Sequence, residues 1–102
     1  MGSLAACGEV TDAALANLKD LPALPGPKFV FAHIVSPHPP YIFDAQGNFN
    51  DAGFGEHDEK NLKPEEMSAL YRGQVEFIDA QILEVVRVIL EESKVPPIII
   101  IQ

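Results

Sequence analysis

Pro37, Pro39 and Pro40 constrain this 102-residue chain more sharply than any other feature. Each removes a backbone donor and holds φ at about −65°, so neither a helix nor a central strand can run through residues 37–40. Whatever precedes these prolines must stop there. His38, set between them, must lie on a loop whose backbone has few conformations open to it.

The run before the prolines, Lys28–Val35 (KFVFAHIV), is apolar on both alternating faces. Phe29, Phe31, His33 and Val35 make one face; Val30, Ala32 and Ile34 make the other. Such a run predicts a strand covered on both sides, as in a parallel sheet flanked by helices. Ile98–Ile101 is an unbroken β-branched run after Pro96-Pro97 and predicts a second buried strand. Between them, Pro64 stands where a helix would begin, followed by Glu65 and Glu66 at the positive end of its dipole. Met67, Tyr71, Val75, Ile78, Ile82, Val85 and Ile89 then recur at spacings of three and four, predicting one apolar stripe. Arg72, Glu76, Asp79, Arg87 and Glu91 lie on the opposite side. Gly73 weakens this helix by about 1 kcal/mol relative to alanine. The stretch from Ser36 to Leu62 is long, polar and glycine-containing, the mark of a functional or disordered loop. Within it Asp44–Asn48 (DAQGN) reads as a turn.

The expected fold class is therefore α/β: strand, long loop, helix, strand, forming one parallel βαβ unit with a right-handed crossover. Two strands and one helix leave a sheet face and two edges uncovered, so the unit is expected to belong to a larger sheet. The position of the second strand at the end of the chain adds to that expectation. Upstream, residues 1–9 show no periodicity and are expected to fray. Thr11-Asp12 reads as the cap of a short helix through Leu15 and Leu18. Lys19–Pro27, with Pro22, Pro25, Gly26 and Pro27, reads as a linker. The domain reading is an N-terminal extension over 1–27 and a partial α/β domain over 28–102.

A hydrophobic fraction of 47 % permits a core. The formal charge of −8 excludes the electrostatic footprint of a nucleic-acid or anionic-lipid binder. A phosphorylated ligand would need positive charge supplied by a metal. Cys7 is the single cysteine, so no intrachain disulfide forms. Leu4-Ala5-Ala6-Cys7 has the residue types of a lipoprotein processing site but lacks the apolar run that should precede one. No apolar run reaches the ~18 residues of a helical membrane span.

In open α/β sheets, ligands bind beyond the carboxyl ends of the strands. Ser36-Pro37-His38 meets that description, which makes His38 the leading site candidate. Its imidazole can donate to an oxyanion, move a proton or bind a metal. His33, within the run of phenylalanines, is expected to be a buried, hydrogen-bonded residue of the strand. His57, in Gly55–Glu59, reads as part of a solvated charged loop, since no repeated ligand spacing accompanies it. Tyr41 and Phe43 are placed to line a pocket or to pin the loop to the body. There is no glycine-rich phosphate loop, GxSxG elbow or Cys/His metal spacing.

PKFVFAHIVSPHPPYIFDAQGN (27–48) and YRGQVEFIDAQILEVVRVILEESKVPPIIIIQ (71–102) resemble segments of sulfatase-like hydrolases of the alkaline phosphatase superfamily. These include relatives of lipoteichoic acid synthases and phosphoethanolamine transferases. The resemblance covers about residues 20–102. It implies an alkaline phosphatase-like parallel sheet, and metal-dependent hydrolysis or transfer of phosphate or sulfate esters. It implies a divalent metal (Mn, Mg, Zn or Ca) in the parent enzyme, and a catalytic domain that is often membrane-anchored and extracytoplasmic. His38 matches the histidine that contacts the phosphate or sulfate group; Tyr41 and His33 are lesser candidates for that contact. The family's Asp-His-Gly metal motif follows the strand that here reaches Gln102, and nothing in residues 1–27 matches its nucleophile. No residue of this chain is thus expected to be the nucleophile or a metal ligand, and the chain is expected to be inactive alone. Its implied partners are the remainder of such a domain or a second copy. The alternative expectation is a non-catalytic module that associates through exposed sheet edges.

Overall fold

Pro64, Glu65 and Glu66 start a helix where their chemistry directs. The computed structural model describes residues 4–50 and 61–102 and contains two α-helices, α1 (Leu4–Asp20) and α2 (Pro64–Glu92), with a short 3-10 turn at Leu21–Ala23. At α2's start the Glu66 carboxylate reaches back to accept the Lys63 N–H at 2.9 Å, satisfying a donor that the helix leaves unpaired. The Ser93 N–H donates to Ile89 O at 3.1 Å and closes the last turn. With 29 residues α2 is about 43 Å long. Its face buries Gln74, Ile78 and Val85. Tyr71, expected on the same stripe, is half-exposed. On the solvent side Arg87 pairs with Glu84 and Glu91 one turn away in each direction. These pairs are exposed and screened by solvent, so they add little to stability.

α1 is longer than its sequence suggests, beginning well before Thr11. Thr11 is not its cap: it lies mid-helix, and its hydroxyl donates to the Cys7 carbonyl at 3.2 Å. Over residues 6–20 of α1 the buried positions are Gly8, Thr11 and Leu15, spaced three and four apart. Two of the three are small or polar, so the stripe escapes a search for apolar periodicity.

The expected parallel sheet is absent: the described residues contain no strand, only an isolated antiparallel bridge between Phe43 and Phe49. Residues 28–35 and 98–101 have no regular secondary structure. They are also open to solvent, Phe29 at 95 % and Ile98 at 93 % exposure. A β-branched or aromatic run becomes a strand only when a neighbouring strand takes up its N–H and C=O groups. Here neither run pairs with the other.

The core instead forms between α2 and the segment after the prolines. Ile42, Phe43 and Ile78 are its buried centre, with Phe77 and Ile82 packed against them. The Phe43 ring lies 4.7 Å from that of Phe77 and 5.6 Å from that of Phe49, centroid to centroid. The turn at 44–48 returns the chain so that Phe49 can meet Phe43. The Asp44 N–H donates to Asn48 O and the Gly47 N–H to Asp44 O, at 2.9 and 3.1 Å.

Two glycines on this core predict opposite responses to alanine. Gly47 has φ of +85°, and an added Cβ would meet the Phe77 ring at 2.5 Å. Gly47→Ala is expected to lose about 2 kcal/mol, from left-handed backbone strain and from displacing that ring. Gly73 lies within α2, and an added Cβ would meet Ala45 N at 3.4 Å, an ordinary contact. Gly73→Ala is expected to gain up to about 1 kcal/mol through helix propensity. Urea unfolding midpoints measured side by side check the pair; movement in the same direction would refute the account.

Candidate functional site

Residues 35–43 cannot satisfy their backbone through a helix or a sheet, since prolines occupy the key positions. One side chain meets five of their backbone groups. The Gln74 amide is fully buried, at 0 % exposure, and faces this loop from the middle of α2. Its Oε1 accepts the N–H groups of Ile42 and Phe43, at 2.7 and 3.2 Å. Its Nε2 donates toward the carbonyls of Pro37, His38 and Pro40, at 3.1, 3.3 and 3.4 Å. Amide protons only donate and carbonyls only accept, so these partners fix which end of the Gln74 amide points where. No aspartate or glutamate could replace both halves.

Asn50 completes the frame from the other side. Its backbone N–H donates to Ile42 O at 2.8 Å, and its Nδ2 donates to Tyr41 O at 3.0 Å. Tyr41 is buried, its ring edge-on to Tyr71 with centroids 6.3 Å apart. Of the two roles expected for Tyr41 and Phe43, burial favours pinning the loop. Asp44 carries the turn that follows. Its carboxylate accepts the N–H groups of Gln46 and Asn48 and the Asn48 side-chain amide, at 2.9, 2.9 and 3.1 Å. These donors, the Asn48 side chain foremost, hold the carboxyl below its usual range.

The loop presents His38 on the surface. Its N–H donates to Val35 O at 3.0 Å, and the Ser36–Pro37 and Pro39–Pro40 peptide bonds are cis. His38 Nδ1 lies 2.6 Å from Pro39 O. A carbonyl oxygen can only accept, so Nδ1 carries the proton of the neutral ring and Nε2 carries the lone pair. Nε2 is then the nitrogen available to a ligand. Two hollows on α2, one lined by Pro64, Glu65, Ser68, Ala69 and Arg72, do not include His38, which sits on open surface.

The other histidines are not gathered with it. His33 was expected within the strand core; it is exposed, because the strand that would bury it does not form. His57 lies outside the described residues. Among the described residues no group of three or more His, Cys, Asp or Glu side chains could hold a metal ion, so no metal chemistry is derived from them. No helix among them is long and apolar enough to cross a membrane. Gln74 is the residue that sequence reasoning missed. Its signal was present: it stands three residues after Tyr71 and four before Ile78, a polar side chain on the apolar stripe. Compared with known proteins, the chain matches no family model, no curated protein and no solved structure.

Proposed function

We propose that this chain is the histidine-bearing part of a sulfatase-like hydrolase, in which His38 contacts the phosphate or sulfate group of an ester substrate. One observation supports this above the others. The loop of residues 37–43 is braced by a buried amide yet leaves the His38 imidazole exposed, with Nδ1 held and Nε2 open. The run SPHPPY that forms the loop lies within residues 27–48, one of the two stretches that carry the family resemblance. In this reading the nucleophile and the divalent metal come from outside these residues, and the chain alone does not turn over substrate.

The test is a titration of inorganic phosphate, and separately of sulfate, followed through the ring resonances of the three histidines. His38 is expected to shift saturably while His33 and His57 do not. A hydrolysis assay on phosphomonoester, phosphodiester and sulfate ester, with Mn²⁺ or Zn²⁺, is expected to show no turnover. Equal shifts at all three histidines, or none, would refute the substrate contact. Metal-dependent turnover lost in His38→Ala would refute inactivity.

A second reading rests on a separate observation. Phe29, Phe31, Ile98 and Ile100 are all at least four-fifths exposed. Apolar runs with unpaired backbone associate readily with other chains. In this reading the two runs bind either the remainder of a sulfatase-like domain or a second copy of the chain. Sedimentation separates the readings: a monomer across the accessible concentration range counts against self-association.

A further inference from the structure

We propose that Gln74 is the positioning residue of His38, setting which ring nitrogen meets the ligand; the proposal rests on the reading of His38 as the substrate contact. His38 Nδ1 can donate to Pro39 O only while the backbone of residues 37–40 keeps that carbonyl beside the ring, 2.6 Å away. The loop supplies one turn hydrogen bond of its own, His38 N–H to Val35 O, and Pro37, Pro39 and Pro40 have no N–H with which to build more. Gln74 supplies the missing restraint. Its Nε2 gathers the carbonyls of Pro37, His38 and Pro40, on both sides of Pro39, and its Oε1 ties down Ile42 and Phe43 just after them. The amide comes from the interior of a 29-residue helix, the most regular part of the molecule. The histidine thus takes its orientation from α2 through the loop backbone.

The chemical consequence is specific. With Nδ1 engaged, a neutral His38 offers a lone pair at Nε2 and accepts a hydrogen bond there. An oxyanion that keeps an O–H, such as monohydrogen phosphate, can donate to it. A fully ionised oxyanion such as sulfate needs the imidazolium form, in which Nε2 donates. Losing the Gln74 brace frees the ring to exchange tautomers and removes this distinction.

The experiment is long-range ¹H–¹⁵N NMR of the imidazole nitrogens in the wild-type chain, in Gln74→Leu and in Leu15→Ala, at a pH where His38 is neutral. In the wild type His38 is expected in the Nδ1–H form. In Gln74→Leu, with helical circular dichroism retained, it is expected to become a mixture of tautomers and to lose preference between monohydrogen phosphate and sulfate. Leu15→Ala removes a buried side chain of α1 and is expected to destabilise the chain with His38 unchanged. A wild-type His38 in the Nε2–H form, or a Gln74→Leu spectrum identical to wild type, would overturn the proposal. Should Gln74→Leu not fold, the wild-type chain carries the test. Gln74 side-chain amide protons exchanging as fast as those of exposed Gln46 would overturn it, and slow exchange would support it. An intact Nδ1–H signal that responds to Gln74 but not to phosphate would uphold the positioning role while refuting the substrate contact.

Discussion

Phe43→Ala is expected to lower the unfolding free energy by about 4 kcal/mol, the range for truncating a buried phenylalanine. Phe43 is 1 % exposed and belongs to the small cluster formed with Ile42 and Ile78. Its ring touches two others, Phe77 and Phe49, and such aromatic pairs add about 0.5–1.5 kcal/mol beyond area burial. Small domains have a total stability of about 5–15 kcal/mol, so this one change removes a large share of it. The cavity cannot collapse easily, because Gln74 and Asn50 hold the backbone on either side of it. Urea unfolding followed by circular dichroism measures the loss, with Ile78→Val, expected at about 1 kcal/mol, as reference. A loss below that of Ile78→Val would mean that residues 41–43 do not form the core.

Gln74→Glu is expected to be at least as damaging at neutral pH, and its damage is expected to be reversed by acid. The substitution keeps shape and keeps an acceptor for Ile42 and Phe43. It replaces the donor with a carboxylate oxygen facing the carbonyls of Pro37, His38 and Pro40. A fully buried carboxylate aimed at carbonyl oxygens is disfavoured both by lost hydration and by repulsion, so it titrates roughly three pH units above a free one. At ~1.36 kcal/mol per pH unit, that is about 4 kcal/mol. The sign follows from linkage. A carboxyl raised in the folded state binds its proton more tightly there than in the unfolded chain. The variant is therefore nearest to wild type below the carboxyl's unfolded value, about pH 4. It loses ground as pH rises toward the raised folded value, and the loss is constant above that. Below pH 4 the protonated acid regains a donor for one carbonyl. The difference in unfolding midpoint between wild type and Gln74→Glu, measured from pH 3 to pH 8, checks this. A pH-independent difference would refute the placement of the side chain.

These two side chains belong to one arrangement. Phe43 supplies the apolar anchor after the prolines, and Gln74 supplies the polar one. The anchors use adjacent turns of α2, Gln74 on one and Phe77 and Ile78 on the next. The result is a surface histidine whose backbone carbonyl is held by a side chain of α2. That is the geometry expected of a recognition loop carried on a rigid support.

What the sequence determined by itself was local. Pro64 with the glutamates after it set the start of α2, and Pro96-Pro97 lay just beyond its end. The prolines barred regular structure from residues 37–40, and Asp44–Asn48 made the turn its composition required. Each of these follows from backbone sterics and from hydrogen bonds that reach only a few residues along the chain. What only the tertiary structure decided was pairing and burial. KFVFAHIV and the isoleucine run had the composition of strands, but a strand needs a neighbour, and neither run found one. His33 went from an expected core position to the surface for the same reason. Gln74 looked like one more polar helix residue until the loop bearing Pro37, separated from it by 37 positions, folded over it. Contacts across that distance depend on where the whole chain goes, and no window of local sequence contains them.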